Sequence, residues 1–354
     1  MMRRLTSCVA VGVLVAAGFI EAPALFAQSK AKAENVPEIP YDTIQNFTKL
    51  PVGLYLGESI GVATNSKGHV FVYTRSGETR LFEFDQTGAF VKEIGQGTYG
   101  MAFAHSVRVD AQDNIWTVDE GSNTIVKFSP DGNKVLMILG RRPDPVEQLS
   151  MMPGGGGATF ANKPYSFSRQ TDVAWDPQGN IFVSDGYGDA RVVKYDKAGR
   201  FVKSVGARGN GPLQFSTPHT IAVDAKGVVY VGDRGNQRIQ VLDNDLNFKT
   251  QYDKVGNPWA ICISNGAHQY LYESNSWPDS ADEANRATTG EVYKMELDGT
   301  IVGKFGKGGK GPKEFSTIHQ MDCKNPNEIY TAEINNWRTQ KVTLHPPAMN
   351  TSGR

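Results

Sequence analysis

Three histidines occupy the same slot of a repeating pattern, which is the strongest chemical signal in the chain. His105, His219 and His319 each open a segment of alternating apolar residues: HSVRVDAQDNIWTVDE, HTIAVDAKGVVYVGDR and HQMDCKNPNEIYTAEI. The chain holds 6 histidines, so half of them share one register position. A single histidine there would read as a hydrogen-bonded structural residue. Three imidazole nitrogens with one position left open are instead the donor set of a catalytic zinc site, a set that also admits other first-row ions. His69, His268 and His345 lie outside the register and receive no role.

Three more segments share the pattern: IGVATNSKGHVFVYTR from Ile60, TDVAWDPQGNIFVSDG from Thr171 and WAICISNGAHQYLYES from Trp259. With the first residue of each copy as position zero, position fourteen reads Thr74, Asp119, Asp185, Asp233, Glu273 and Glu333. Such repetition assigns Asp119, Asp185 and Asp233 to turn and strand-end hydrogen bonding. Position fifteen supplies Arg75 and Arg234, and position sixteen supplies Tyr187. Arginines grip carboxylates in a two-pronged fashion, so a small anionic substrate is expected between them unless acids such as Asp185 and Asp233 already occupy them. Tyr187 has an ordinary pKa of about 10. Two guanidiniums and a metal ion would lower it, making Tyr187 a candidate general base, whereas the plainer alternative is a lining aromatic. Trp259 reads as a channel-filling aromatic.

The elements that must position these residues are all strands. Each copy is an apolar strand, a turn with Asp, Asn or Gly, and a second strand. Further strand pairs follow, as in RVVKYDKAGRFVKSVG and EVYKMELDGTIVGKFG, with hairpin signals at Ala-Gly and Asp-Gly. Four short antiparallel strands repeating every 40 to 50 residues or so describe β-propeller blades. The expected fold is therefore an all-β, six-bladed propeller at residues 42–345, with a linker at 28–41 and a tail at 346–354. The sixth unit stops after its third strand near Leu344, and strand-like sequence around Thr43 to Lys49 is expected to close the ring. Alternate blades place the three histidines around one mouth of the central channel. Two long connections, Arg141 to Gln170 and Ser274 to Gly290, are expected to overhang that mouth as lids.

Arg3 and Arg4 precede an apolar run from Val9 to Ile20, and small residues follow to Ala27. That layout predicts a signal peptide at 1–27 and an exported chain, periplasmic or extracellular. Lys plus Arg and Asp plus Glu are equal at 37 each, which argues against nucleic acid as a partner. No later segment is apolar enough to span a membrane, and a monomer is expected. Cys262 and Cys323 lie in apolar strand-like runs and read as buried free thiols, although the compartment permits a bridge.

The strings AHSVRVD at His105, QTDVAWDPQGNIFVSDGYGDARV through Tyr187, GPLQFSTPHTIAV at His219, VGDRGNQRIQ at Arg234 and IHQMDC at His319 resemble the peptidyl-α-hydroxyglycine α-amidating lyase family, whose propeller is built of NHL-type repeats. The resemblance spans all six units. It implies zinc on His105, His219 and His319, Tyr187 as general base, and Arg75 and Arg234 holding substrate. It further implies cleavage of an N-acyl-α-hydroxyglycine, such as a peptide C-terminus, to an amide and glyoxylate. A structural calcium on the backbone carbonyls of Val62 and Val107 belongs to the same pattern. Gln320 stands at the aspartate position of that site, and a neutral amide is the weaker calcium ligand. Gly188 replaces the cysteine that follows the tyrosine. The rival readings are a non-catalytic NHL-type binding propeller, which predicts no metal, and a metal-dependent hydrolase or lactonase on the same fold.

Overall fold

The computed structural model describes residues 36–142, 144, 163–278, 286 and 288–346. The signal peptide, most of the 28–41 linker and nearly all of the tail lie outside them, as do the central parts of both long connections.

Six four-stranded antiparallel sheets follow one another along the chain. Their innermost strands are Ser59–Thr64, Ala104–Val109, Asp172–Trp175, Pro218–Val223, Pro258–Ile263 and Ile318–Asn325. This is the expected six-bladed β-propeller. The first turn of a blade forms because an aspartate folds the backbone onto itself. Oδ1 of Asp110, Asp176 and Asp224 accepts from the N–H of Asn114, Asn180 and Val228 at 2.8–2.9 Å, a local alternative to the ladder that suits a tight turn. Between blades, facing sheets bury apolar side chains, as where Ile60, Phe71, Tyr73 and Val107 meet between the first two.

The last blade orders its strands as Tyr41–Ile44, Arg338–Leu344, Glu328–Glu333 and Ile318–Asn325. Tyr41 pairs with Leu344 and Ile44 with Lys341. The N-terminal strand thus completes the sixth blade and closes the ring, slightly upstream of the Thr43 to Lys49 stretch that the sequence suggests. Closure hides the edge that a three-stranded blade would leave open.

Two expectations are corrected. Cys262 and Cys323 are not free thiols but a disulfide between the innermost strands of blades five and six, with Cα atoms 6.0 Å apart. Their separation of 61 residues in sequence conceals that consecutive innermost strands run side by side. The blade-five register is also not gapless. In blade four Pro218 pairs with Asp233, but in blade five Pro258 pairs with Asn275. The turn there is two residues longer, closing from Ser264 to Tyr270 where blade four closes from Asp224 to Val228. Asn275, not Glu273, therefore does the strand-end work: its Oδ1 accepts from the N–H of Asn257 at 3.0 Å, as Asp233 Oδ1 does from Ser216 at 2.7 Å.

Glu273 is displaced by this insertion into the sheet interior, between Ile261 and Tyr293. It is fully buried, and neither carboxyl oxygen has a hydrogen-bond partner among the described residues. Burial, followed by the nearby Glu291, pushes its pKa well above the ordinary carboxylate range. A raised folded-state pKa means that stability is fully present below the unfolded-state value and is lost as pH rises toward the folded one. Glu273→Gln should therefore raise the unfolding temperature at pH 8, by an amount corresponding to about 1–3 kcal/mol, and raise it much less at pH 4. Thermal unfolding at the two pH values measures this.

Candidate metal centre and active site

The three histidines stand at position zero of blades two, four and six and are all buried, with ligand-capable nitrogens within 4.8 Å of one another. Their ring centroids are 4.6–4.9 Å apart. Each ring is fixed by the next blade. Nδ1 of His105 donates to the Thr171 carbonyl at 2.6 Å, Nδ1 of His219 to Trp259 at 2.7 Å, and Nδ1 of His319 to Ile60 at 2.8 Å. A carbonyl can only accept, so the Nδ1 atoms carry the protons and the Nε2 lone pairs are left for the channel. His219 Nε2 is buried without a partner among the described residues. Burial first, and the surrounding cations after it, hold all three imidazoles well below their ordinary pKa. Three neutral rings with converging lone pairs and backbone-anchored tautomers fit a divalent transition metal.

Tyr187 reaches this trio from the loop after the second strand of blade three. Its N–H donates to the Arg169 carbonyl at 3.3 Å, and the N–H of Gly188 donates to Ser168 at 2.8 Å. The approach is close enough that a Cβ on Gly188 would fall 1.8 Å from Ser168 Oγ. Arg208 Nη2 clamps the loop from outside by bonding the carbonyls of Tyr187 and Gly188 at 2.7 and 2.8 Å. The Tyr187 hydroxyl lies 3.3 Å from His105 Nε2 and donates to it. Burial and charge act on the Tyr187 pKa in opposite directions. Burial is the largest influence and raises it, against the lowering effect of Arg234, Arg75 and Arg169. A cation on the three histidines would add to the guanidiniums' side of that balance.

The two expected arginines differ. Arg234, in a 3-10 turn at Arg234–Asn236, stands 4.3 Å from the Trp259 ring centroid and 5.5 Å from that of Tyr187. Its Nη1 is buried without a partner among the described residues. Arg75 is occupied: Nε donates to Glu58 at 2.8 Å, and Nη1 to Glu120 and to the Ala104 carbonyl, both at 3.3 Å. Asp185 and Asp233, the acids considered as partners from sequence, bind Arg191 and Arg238 instead. Glu58, Glu120 and Arg169 were missed. Glu120 had a readable signal, because it fills position fifteen of blade two, the slot of Arg75 and Arg234. Arg169, from the connection into blade three, had none.

The calcium position does not fit a cation. Gln320 Oε1 accepts from the N–H groups of Val62 and Val107, both at 3.1 Å, and its Nε2 donates to the Val107 carbonyl at 2.9 Å. The amide dipole satisfies the backbone groups, and its N–H₂ engages the carbonyl that a cation would need. Gly61 makes the approach possible, since a Cβ there would lie 2.6 Å from Gln320 Oε1. Below it, Lys324 Nζ donates to the carbonyls of Thr64 and Val109, and Arg108 is paired with Asp172 at 2.6 Å. A cavity of about 370 Å³ opens at this far mouth, but Arg108 and Lys324 in its wall are already engaged.

Fold and site together define an NHL-type β-propeller with a three-histidine centre on its axis, and the NHL repeat model matches residues 215–242. The chain is a relative of the peptidyl-α-hydroxyglycine α-amidating lyases. It is 29% identical over 278 residues to "Probable peptidyl-α-hydroxyglycine α-amidating lyase" of Caenorhabditis elegans, covering 72% of this chain and 75% of that protein. It is 31% identical over 328 residues to the peptidylglycine α-amidating monooxygenase of Rattus norvegicus, covering 82% of this chain but only 31% of the rat protein. A gluconolactonase of Xanthomonas campestris superposes with a TM-score of 0.59 over 88% of this chain and 95% of that one. At 14% identity that likeness shows the fold and does not bear on chemistry. Among the described residues no helix is long and apolar enough to cross a membrane.

Because Gln320 takes the calcium position, adding millimolar calcium or a calcium-selective chelator should leave the unfolding temperature unchanged within about 1 °C. A dose-dependent rise with calcium, read by scanning calorimetry, would show that a cation displaces the amide.

Proposed function

We propose that the protein is a zinc-dependent lyase that cleaves an N-acyl-α-hydroxyglycine to a primary amide and glyoxylate. The observation that carries this reading is the meeting of three imidazole Nε2 lone pairs, one of them bonded by the Tyr187 hydroxyl, and an Arg234 Nη1 that has no partner among the described residues at one end of the channel. Zinc held by His105, His219 and His319 would supply Lewis acidity toward a substrate oxygen.

The chain's own residues account for the rest. Arg234 offers a buried, unsatisfied N–H to the substrate carboxylate, and Trp259 and Tyr187 wall it from water. Arg75, tied to Glu58 and Glu120, contributes positive potential rather than a free fork, which narrows the role expected of it from sequence. Tyr187, as the phenolate favoured by the guanidiniums and by a cation on the histidines, would be the base that takes the substrate hydroxyl proton. As that proton leaves, the O–H electron pair forms the aldehyde C=O and the C–N bond breaks. The same proton, passed from Tyr187 to the departing nitrogen, gives the amide and restores the phenolate, and no water is consumed. A lone pair of His105 given to a cation would be withdrawn from Tyr187, leaving the Tyr187 oxygen free to face substrate.

We read the chain as exported through the 1–27 leader, and the Cys262–Cys323 disulfide supports an oxidising compartment. A small anionic substrate or peptide C-terminus is its partner, and the chain acts as a monomer.

Glyoxylate release from a hydroxyglycine substrate, measured with metal content on the same sample, tests the reading. His219→Ala should lose both bound zinc and turnover. Tyr187→Phe should retain zinc and lose turnover by about 10²–10⁴-fold. Unchanged turnover in Tyr187→Phe would remove the phenol from the mechanism.

A further inference from the structure

Arg169 is a third guanidinium at the same mouth, and its setting differs from the other two. Its carbon lies 4.6 Å from the Tyr187 ring centroid. Its Nη2 donates to the buried Glu120 at 3.2 Å, yet the side chain stays 56% exposed, against 14% for Arg75. A guanidinium has five N–H donors, and among the described residues Glu120 is the one hydrogen-bond acceptor for this one. The backbone is held in the left-handed region at φ 61°, as it is at Thr217, φ 60°, at the matching place of blade four. Two contacts enforce it: the Arg169 N–H donates to Asn123 Oδ1 at 2.8 Å, and the Arg169 carbonyl accepts from Tyr187. Glu120 fixes the other end, its carboxylate shared between Arg75 and Arg169.

We propose that Arg169 is a specificity-determining residue that selects substrates whose acyl half carries a carboxylate. This rests on the lyase reading above. With the glycolate carboxylate at Arg234 and the hydroxyl at Tyr187, the remaining direction for the acyl group is outward, past the exposed face of Arg169. Arg75 is less suited to that place, because its Nε and Nη1 are engaged with Glu58, Glu120 and the Ala104 carbonyl and its side chain is only 14% exposed. Arg208 is turned onto the carbonyls of Tyr187 and Gly188. Among these guanidiniums Arg169 is the one both held in place and open to solvent, a combination that favours recognition of a second anion over mere support of the loop.

The test compares N-succinyl-α-hydroxyglycine with its succinamoyl counterpart, which differs only in bearing an amide for the terminal carboxylate. On zinc-loaded wild-type protein, kcat/KM should favour the succinyl compound by about tenfold, the difference lying in KM. Arg169→Gln should collapse that ratio to near one, and Arg169→Lys, which keeps the charge, should retain most of it. A wild-type ratio near one, or a ratio unmoved by Arg169→Gln in a variant that unfolds at the wild-type temperature, overturns the proposal. Should neither compound be turned over, the lyase reading fails by itself. Calorimetric affinities for the same two compounds then decide the selectivity: a preference for the succinyl compound that Arg169→Gln abolishes supports the proposal, and equal affinities overturn it.

Discussion

The hydrogen bond from each even-blade imidazole to the position-zero carbonyl of the following blade is the constraint on which the site depends. It does three things with one contact. It satisfies a backbone carbonyl that the ladder leaves open where the innermost strand begins. It sets the tautomer, so that every Nε2 lone pair faces the axis. It also couples the aim of each ring to the spacing between neighbouring blades, so the trio stays convergent only while the ring holds its six-fold geometry. A neutral, pre-aimed donor set needs no proton release or side-chain reorganisation before receiving an ion, which separates it from a chance cluster of histidines.

Around that centre the charges are arranged unequally. Glu58 and Glu120 neutralise Arg75 and anchor Arg169, while Arg234 is packed between two aromatic rings with one N–H left unsatisfied. An unsatisfied buried donor destabilises the empty protein, and a bound anion removes that cost. The arrangement therefore concentrates anion recognition at Arg234, although the sequence pattern treats Arg75 and Arg234 as equivalents.

Much of this was legible in the sequence because a propeller repeats its own register. Once His105, His219 and His319 fall at position zero, their meeting follows from the number of blades, and Tyr187 and Arg234 follow from the same counting. Register counting failed where the turn length changed: the longer turn between Ser264 and Tyr270 moved Glu273 into the interior and left its duty to Asn275. It was also silent on contacts between blades, such as the disulfide and the ties of Arg75. The cations around Tyr187 were countable from sequence, but the depth of burial that opposes them was not.

The sixth blade carries one further implication. It contains His319, and it is the blade assembled from both ends of the propeller, with Tyr41–Ile44 zipped onto Arg338–Leu344. Until that seam forms, blade six lacks its outer strand, and the whole length of Arg338–Leu344 is a bare edge able to pair with another chain. The ring's last seam is therefore also its guard against strand exchange between molecules.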